Sequence, residues 1–160
     1  MYKTNAIELS NYLLASLGES TPFKQQKLVY YVEAWHLVFF DTSIISDEFE
    51  AWVHGPAIKS LWTYYKSKDI ELYNSMKYPP DSILRVKTAF EKKISADQLD
   101  LIKDVLEEYG DKSGYHLETL SHTQLPWIEA RKGLDREAKG CNIISKEIMK
   151  TYFKQCLNAQ

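Results

Sequence analysis

Thr21-Pro22-Phe23-Lys24-Gln25-Gln26-Lys27-Leu28-Val29-Tyr30-Tyr31-Val32-Glu33-Ala34-Trp35-His36-Leu37-Val38-Phe39-Phe40 decides how this chain folds. Thr21 is an N-cap residue, and Pro22 follows at the first helical position, where its missing N–H is no loss. Leu28, Tyr31, Val32, Trp35 and Phe39 then form a stripe at helical spacing. Val29, Tyr30, Ala34, Leu37 and Phe40 extend apolar character almost all round. A helix apolar on every side is surrounded by other helices, so residues 22–40 are expected to form a central buried rod. Its most apolar part, Leu28–Phe40, contains Glu33 and His36 and is too short and too polar to span a bilayer.

Upstream, Thr4 or Asn5 can cap a helix running to Leu17, with Ile7, Leu13, Leu14 and Leu17 on its apolar side and Glu8, Asn11 and Ala15 opposite; Gly18 ends it. Downstream, residues 41–48 are a polar connection, residues 49–53 alternate and read as extended, and His54-Gly55-Pro56 is a turn signal. Pro56 is then expected near the start of a helix carrying Ile58, Leu61, Trp62 and Tyr65. Residues 67–82 read as loop or hairpin. The spacing of Ile83, Val86 and Phe90 favours a helix over a strand from Ile83 to Ile94.

Ser95 and Gln98 make a capping box for a helix from Ala96 to Tyr109, with Leu99, Ile102, Val105, Leu106 and Tyr109 buried and Gly110 as a left-handed stop. Ser113 caps a short helix through Leu120, and Ser121 or Thr123 with Pro126 opens another that ends near Gly133. Ser145 caps a last helix with Ile148, Met149, Tyr152, Phe153 and Cys156 on one face. The expected fold is mainly α: a single-domain orthogonal bundle over 1–160, with six to eight helices around the 22–40 rod and at most a small β-hairpin or extended segments.

Composition narrows the function. A chain of 160 residues with 44% hydrophobic and 26% charged content is an ordinary globular domain. A formal net charge of −2 offers no strong positive field, so nucleic acid is not the expected partner. Cys141 and Cys156 lie far apart without a CxxC pattern, which argues against a disulfide framework or a structural zinc and for reduced thiols in the cytoplasm. The N-terminal residues read as folded sequence rather than a signal peptide.

Catalytic signatures are missing from the pattern. Glu33 and His36 share one edge of the rod and can be read either as an acid–base pair, joined by His54 or His122 in a cleft, or as a hydrogen-bonded polar patch. The second reading is preferred. His116 and His122 are not at i, i+4 spacing, and no HExxH, calcium-loop, GxSxG, GxGxxG or phosphate-loop motif occurs. Cys156 reads as an inert buried thiol and Cys141 as a loop residue. No catalytic residue, metal or cofactor is assigned. Lys24, Lys27, Arg131, Lys132, Arg136 and Lys139 read as a solvated basic patch. The enrichment in aromatics, with 11 Tyr, 4 Trp and 6 Phe, suits a partner surface. Tyr30, Trp52, His54, Trp62, Tyr64 and Tyr65 are the candidate partner-binding residues.

Three segments are distinctive together: Phe23–His36, Phe49–Pro56, and Leu120–Thr123 followed by Pro126–Arg131. In this order they resemble the SocA-like, or Panacea, antitoxin domain, also labelled GepA-like phage-associated protein. The resemblance implies a bacterial helical domain of a toxin–antitoxin system that neutralises a toxin encoded by an adjacent gene, in one described case as an adaptor to a AAA+ protease. It leaves open the toxin, any homo-oligomer and the alternative of a mobile-element accessory protein binding host factors. The residues that carry it are Lys27, Leu28, Tyr31, Trp35, Gly55, Pro56, Pro126 and Trp127. Apart from the resemblance, Leu28, Tyr31 and Trp35 read as core and Trp127 as a plug in the bundle.

Overall fold

A computed structural model describes residues 2–160. The chain runs α1 (Ala6–Leu17), β1 (Glu19–Ser20), α2 (Pro22–Phe40), β2 (Glu50–Trp52), β3 (Gly55–Ala57), α3 (Lys59–Ser67), β4 (Met76–Lys77), α4 (Pro80–Glu91), α5 (Ala96–Tyr109), α6 (Gly114–His122), α7 (Leu125–Ala130) and α8 (Lys146–Asn158). The fold is mainly α, with two short antiparallel ladders, β1–β4 and β2–β3.

The Thr21 hydroxyl accepts from the Lys24 N–H at the start of α2, and Pro22 sits in the first turn. Helices α1, α3, α5, α6 and α8 and strand β3 all pack on this rod, while α4 covers the far side of α1. Leu28, Val29, Tyr31, Val32 and Ala34 are fully buried. Aromatic rings lock three helices together. Tyr31 of α2 stacks on Tyr109 of α5 at 4.3 Å, and Phe153 of α8 meets Tyr30, Tyr31 and Trp35 edge-on. Trp35 Nε1 donates to the Tyr109 hydroxyl at 2.9 Å. Asn5, Ser95, Ser113 and Ser145 cap their helices as expected, and Ser95 and Gln98 form the reciprocal box.

Several expectations are corrected. Phe39 is 55% exposed because α2 outlasts the core at its C-terminal end. Ala15 is buried, since α1 is wedged between α2, α3 and α4 and has no free side there. Helix α4 starts at Pro80, where proline again fits the first turn. Gly110 is right-handed (φ −66°), not left-handed. Its smallness serves close approach instead, for a Cβ there would lie 3.1 Å from Leu17 Cδ2. Gln124, not Ser121 or Thr123, is the N-cap of α7; its amide oxygen accepts from the Tyr31 hydroxyl. Pro56 lies in strand β3, opposite Ala51, and α3 begins only at Lys59.

Candidate partner-binding groove

The β2–β3 hairpin turns at Val53-His54 and is held from every side by side chains reaching for its backbone. From α2, Gln26 binds Ile58 twice: its Oε1 accepts the Ile58 N–H at 2.8 Å, and its Nε2 donates to the Ile58 carbonyl at 3.0 Å. From the next residue, Lys27 Nζ donates to the Pro56 carbonyl at 3.2 Å. From α7, Trp127 Nε1 donates to the Trp52 carbonyl at 2.8 Å, and Arg131 donates to the Ala51 carbonyl at 2.8 Å. Arg131 also ties down the following loop through the Asp135 and Ala138 carbonyls. The Ala51 N–H donates to the Asn142 carbonyl, which closes the outer edge of β2.

Gly55 is where these elements converge. Its φ is +104°, which disfavours any side chain, and a Cβ there would lie 2.9 Å from Lys27 Cε and 3.0 Å from Ser121 Oγ. Gly55→Ala is expected to lower stability by about 1–2 kcal/mol, read as a shift of the urea midpoint.

Lys27 and Arg131 are therefore not part of a solvated patch: they are 2% and 5% exposed. Lys27 Nζ lies 4.7 Å from the Phe23 ring centre. Burial pushes its amine down to about 7, against a smaller opposing pull from Glu118. His54 Nδ1 donates to Glu118 Oε1 at 2.8 Å, on the exposed side of the same carboxylate. His122 stacks on Trp127 at 4.0 Å and has its basicity lowered, first by burial, with Glu118 opposing.

Outside the hairpin lies an open depression of about 610 Å³. Phe23, Trp52, Ala57, Trp62 and Leu72 supply apolar walls, and Lys27, His54, Lys59, Glu50 and Lys139 supply polar groups. The Trp52 and Trp62 rings meet edge to face at 6.2 Å, and Lys66 Nζ sits 4.5 Å over the Trp62 ring. A second depression of about 390 Å³ adjoins it through Trp62 and Leu72.

Of the six candidate partner-binding residues, Trp52, His54 and Trp62 come together in this groove. Tyr64 is half-buried and stacks on Tyr65 outside it. Tyr30 and Tyr65 are corrected to core residues, at 1% and 4% exposure. Tyr30 faces Tyr31, Phe49 and Phe153, and the Tyr65 hydroxyl bonds to Ser10 Oγ. Both fall on the inner side of their helices: in α2, apolar all round, spacing does not reveal it for Tyr30, whereas Tyr65 follows the buried Leu61 by four residues and so shares its face. Lys139 and Cys141 were missed as groove residues, because only the tertiary fold brings the loop after α7 beside β2. Arg131 left a readable signal: it follows Trp127 by four residues and so shares its buried face, with the guanidinium 5.2 Å from the indole.

Glu33 and His36 do not meet the groove. Both are fully buried. His36 Nδ1 donates to the Thr42 carbonyl at 2.6 Å and its Nε2 accepts from Gln98 Nε2 at 3.0 Å, which fixes the neutral ring. Burial lowers its basicity. Glu33 Oε2 accepts from the Ile45 N–H at 3.1 Å, and burial raises its pKa against Lys146 at 3.9 Å. The pair is a structural polar patch that ties the 42–45 loop to α2. Glu33→Gln keeps the bond from Ile45 and removes a poorly solvated charge, so its stability at pH 7 is expected to hold or rise by about 1 kcal/mol, measured by urea unfolding.

A family model described as antitoxin SocA-like, Panacea domain, matches residues 26–128, a stretch that opens on Gln26 and Lys27, contains the hairpin, and closes on Trp127 and Ile128. This chain belongs to that family. No curated protein and no solved structure matches the chain significantly. In this Panacea domain, the three distinctive segments are the parts that fasten the hairpin and so shape the groove. Among the described residues, no cluster of three or more His, Cys, Asp or Glu side chains is placed to hold a metal ion. No helix among them is long and apolar enough to cross a membrane.

Proposed function

We propose that this Panacea domain acts as one unit, an antitoxin that neutralises a toxin encoded by an adjacent gene by binding it directly through the hairpin groove. Family membership supports an antitoxin role. The observation that carries the binding mode is the paired Trp52 and Trp62 rings standing over an open groove, a surface suited to gripping an anchor residue of another protein. Trp52, His54 and Trp62 make the contact, with Tyr64 at its margin. The domain works by binding: Glu33 and His36, the residues best placed in sequence to act as an acid–base pair, are consumed in holding a loop.

Co-expression tests this. The domain is expected to rescue cells from the adjacent gene product and to bind it when both are purified. A neighbour that is harmless, or toxic and not rescued, would refute the assignment. Direct occlusion also predicts that rescue persists in cells lacking AAA+ proteases; rescue that vanishes there assigns the domain to delivery instead.

A further inference from the structure

Resting on that reading and deepening it, we propose that the groove receives a segment of the partner in which Asp or Glu residues flank a large apolar side chain. The floor of the groove is apolar. Trp52 and Trp62 meet edge to face, and Phe23 and Leu72 close the depression beside them, a fit for an aromatic or aliphatic anchor.

Charge adds to the apolar fit. Two exposed lysines line the depression, Lys59 and Lys139, against one carboxylate, Glu50. Glu50 Oε1 already accepts from Trp52 Nε1 at 3.0 Å. The chain as a whole carries a formal charge of −2, so the excess of lysine at the groove runs against its overall balance. Lys27 also lines the depression, but it is buried and fixed to the Pro56 carbonyl. An acidic segment is steered to such a site, and a basic one is repelled.

Shape and edges favour a peptide laid by its side chains. The adjoining depression shares Trp62 and Leu72 and extends the groove lengthwise. Asp69 and Glu71 line that second depression together with Lys66, so the occupant's acidic residues belong on the Lys59 and Lys139 side. Addition of a strand to the hairpin is blocked, because Asn142 covers β2 and Gln26 takes both backbone groups of Ile58 after β3.

Cys141 lines the groove and is exposed, which makes it a reporter. With Cys156→Ser to remove the second thiol, the alkylation rate of Cys141 is measured against a short acetylated peptide holding a Leu-Phe pair flanked by Asp and Glu. Protection of Cys141 and quenching or shift of tryptophan emission are expected, weakening as salt rises. The Lys59→Glu, Lys139→Glu double variant is expected to lose at least about tenfold in affinity with an unchanged melting temperature. A Lys-substituted peptide, and an acidic peptide lacking the Leu-Phe pair, are expected to leave Cys141 unprotected. Equal protection by the basic peptide, protection only by a single-stranded oligonucleotide, or none by the acidic-apolar peptide would overturn the proposal. The double variant separates the two readings in cells. If it still neutralises the toxin fully, the charge proposal fails while the antitoxin reading stands; if the unaltered domain gives no rescue, the antitoxin reading fails while the peptide measurement still decides the groove.

Discussion

Trp127→Ala is expected to destabilise the domain by about 4 kcal/mol and to loosen the hairpin before the rest of the bundle. The side chain is 8% exposed and packs between the His122 ring and the Arg131 guanidinium. Removing it leaves a large void, and the Trp52 carbonyl loses its donor. Arg131 loses the surface that orients it and, with that, its grip on Ala51 and Ala138. Urea unfolding gives the magnitude. Hydrogen exchange gives the location: the amides of β2 and β3 should lose protection while those in the middle of α2 keep theirs. Uniform loss across both elements would show that Trp127 supports the bundle as a whole and not the hairpin.

Lys27→Met is expected to act in the opposite direction and to depend on pH. The folded protein holds this amine at about 7, far below the ordinary lysine value of 10.5, because the charged form is poorly solvated where it sits. Below pH 7 the amine is protonated in both the folded and the unfolded chain, and the full penalty of burying the charge is present. Between about 7 and 10.5 the unfolded chain binds more protons than the folded one, so stability rises with pH as the penalty fades. The displacement corresponds to an effect on the order of 4 kcal/mol. Methionine removes it but leaves the Pro56 carbonyl without its donor, which costs back about 1–2 kcal/mol. Near pH 6.5 the variant should thus be more stable by roughly 2–3 kcal/mol, and its advantage should shrink toward pH 10. Glu118 opposes the shift and His122 feels the Lys27 charge, so urea midpoints are compared between wild type and variant at each pH. An advantage that stays constant across the range would mean that the amine ionises normally.

The rod and most helix ends were legible in the sequence because they depend on local signals. Thr21-Pro22 and the Ser95–Gln98 pair act within one turn, and the apolar character of 22–40 forces enclosure whatever encloses it. The groove was half legible. Trp52, His54 and Trp62 stand out by residue type near a turn signal, and they do converge. Tyr30 and Tyr65 stand out for the same reason and are core, since composition does not tell an inner ring from an outer one.

The misread residues share one cause. Lys27 and Arg131 look like surface groups, yet each, like Gln26, is spent on a backbone carbonyl or N–H of the hairpin and its exit. Such partners lie on segments tens of residues away, and no periodicity announces them. Pro56 was misplaced by the same logic: Gly55-Pro56 reads as a helix entry until Lys27 and Gln26 are seen occupying the backbone around it. The hint available was polar residues at Gln25, Gln26 and Lys27 inside an otherwise apolar helix, which must be satisfied somewhere once enclosed.

Calorimetric titration of the adjacent-gene toxin into the wild-type domain and into Trp62→Ala tests the central claim most directly. Trp62 is 36% exposed on a surface helix, so the variant should melt within a degree or two of wild type while binding about 30-fold more weakly, a loss of about 2 kcal/mol. Equal affinity for the two proteins would contradict the account and move the binding surface off the hairpin groove.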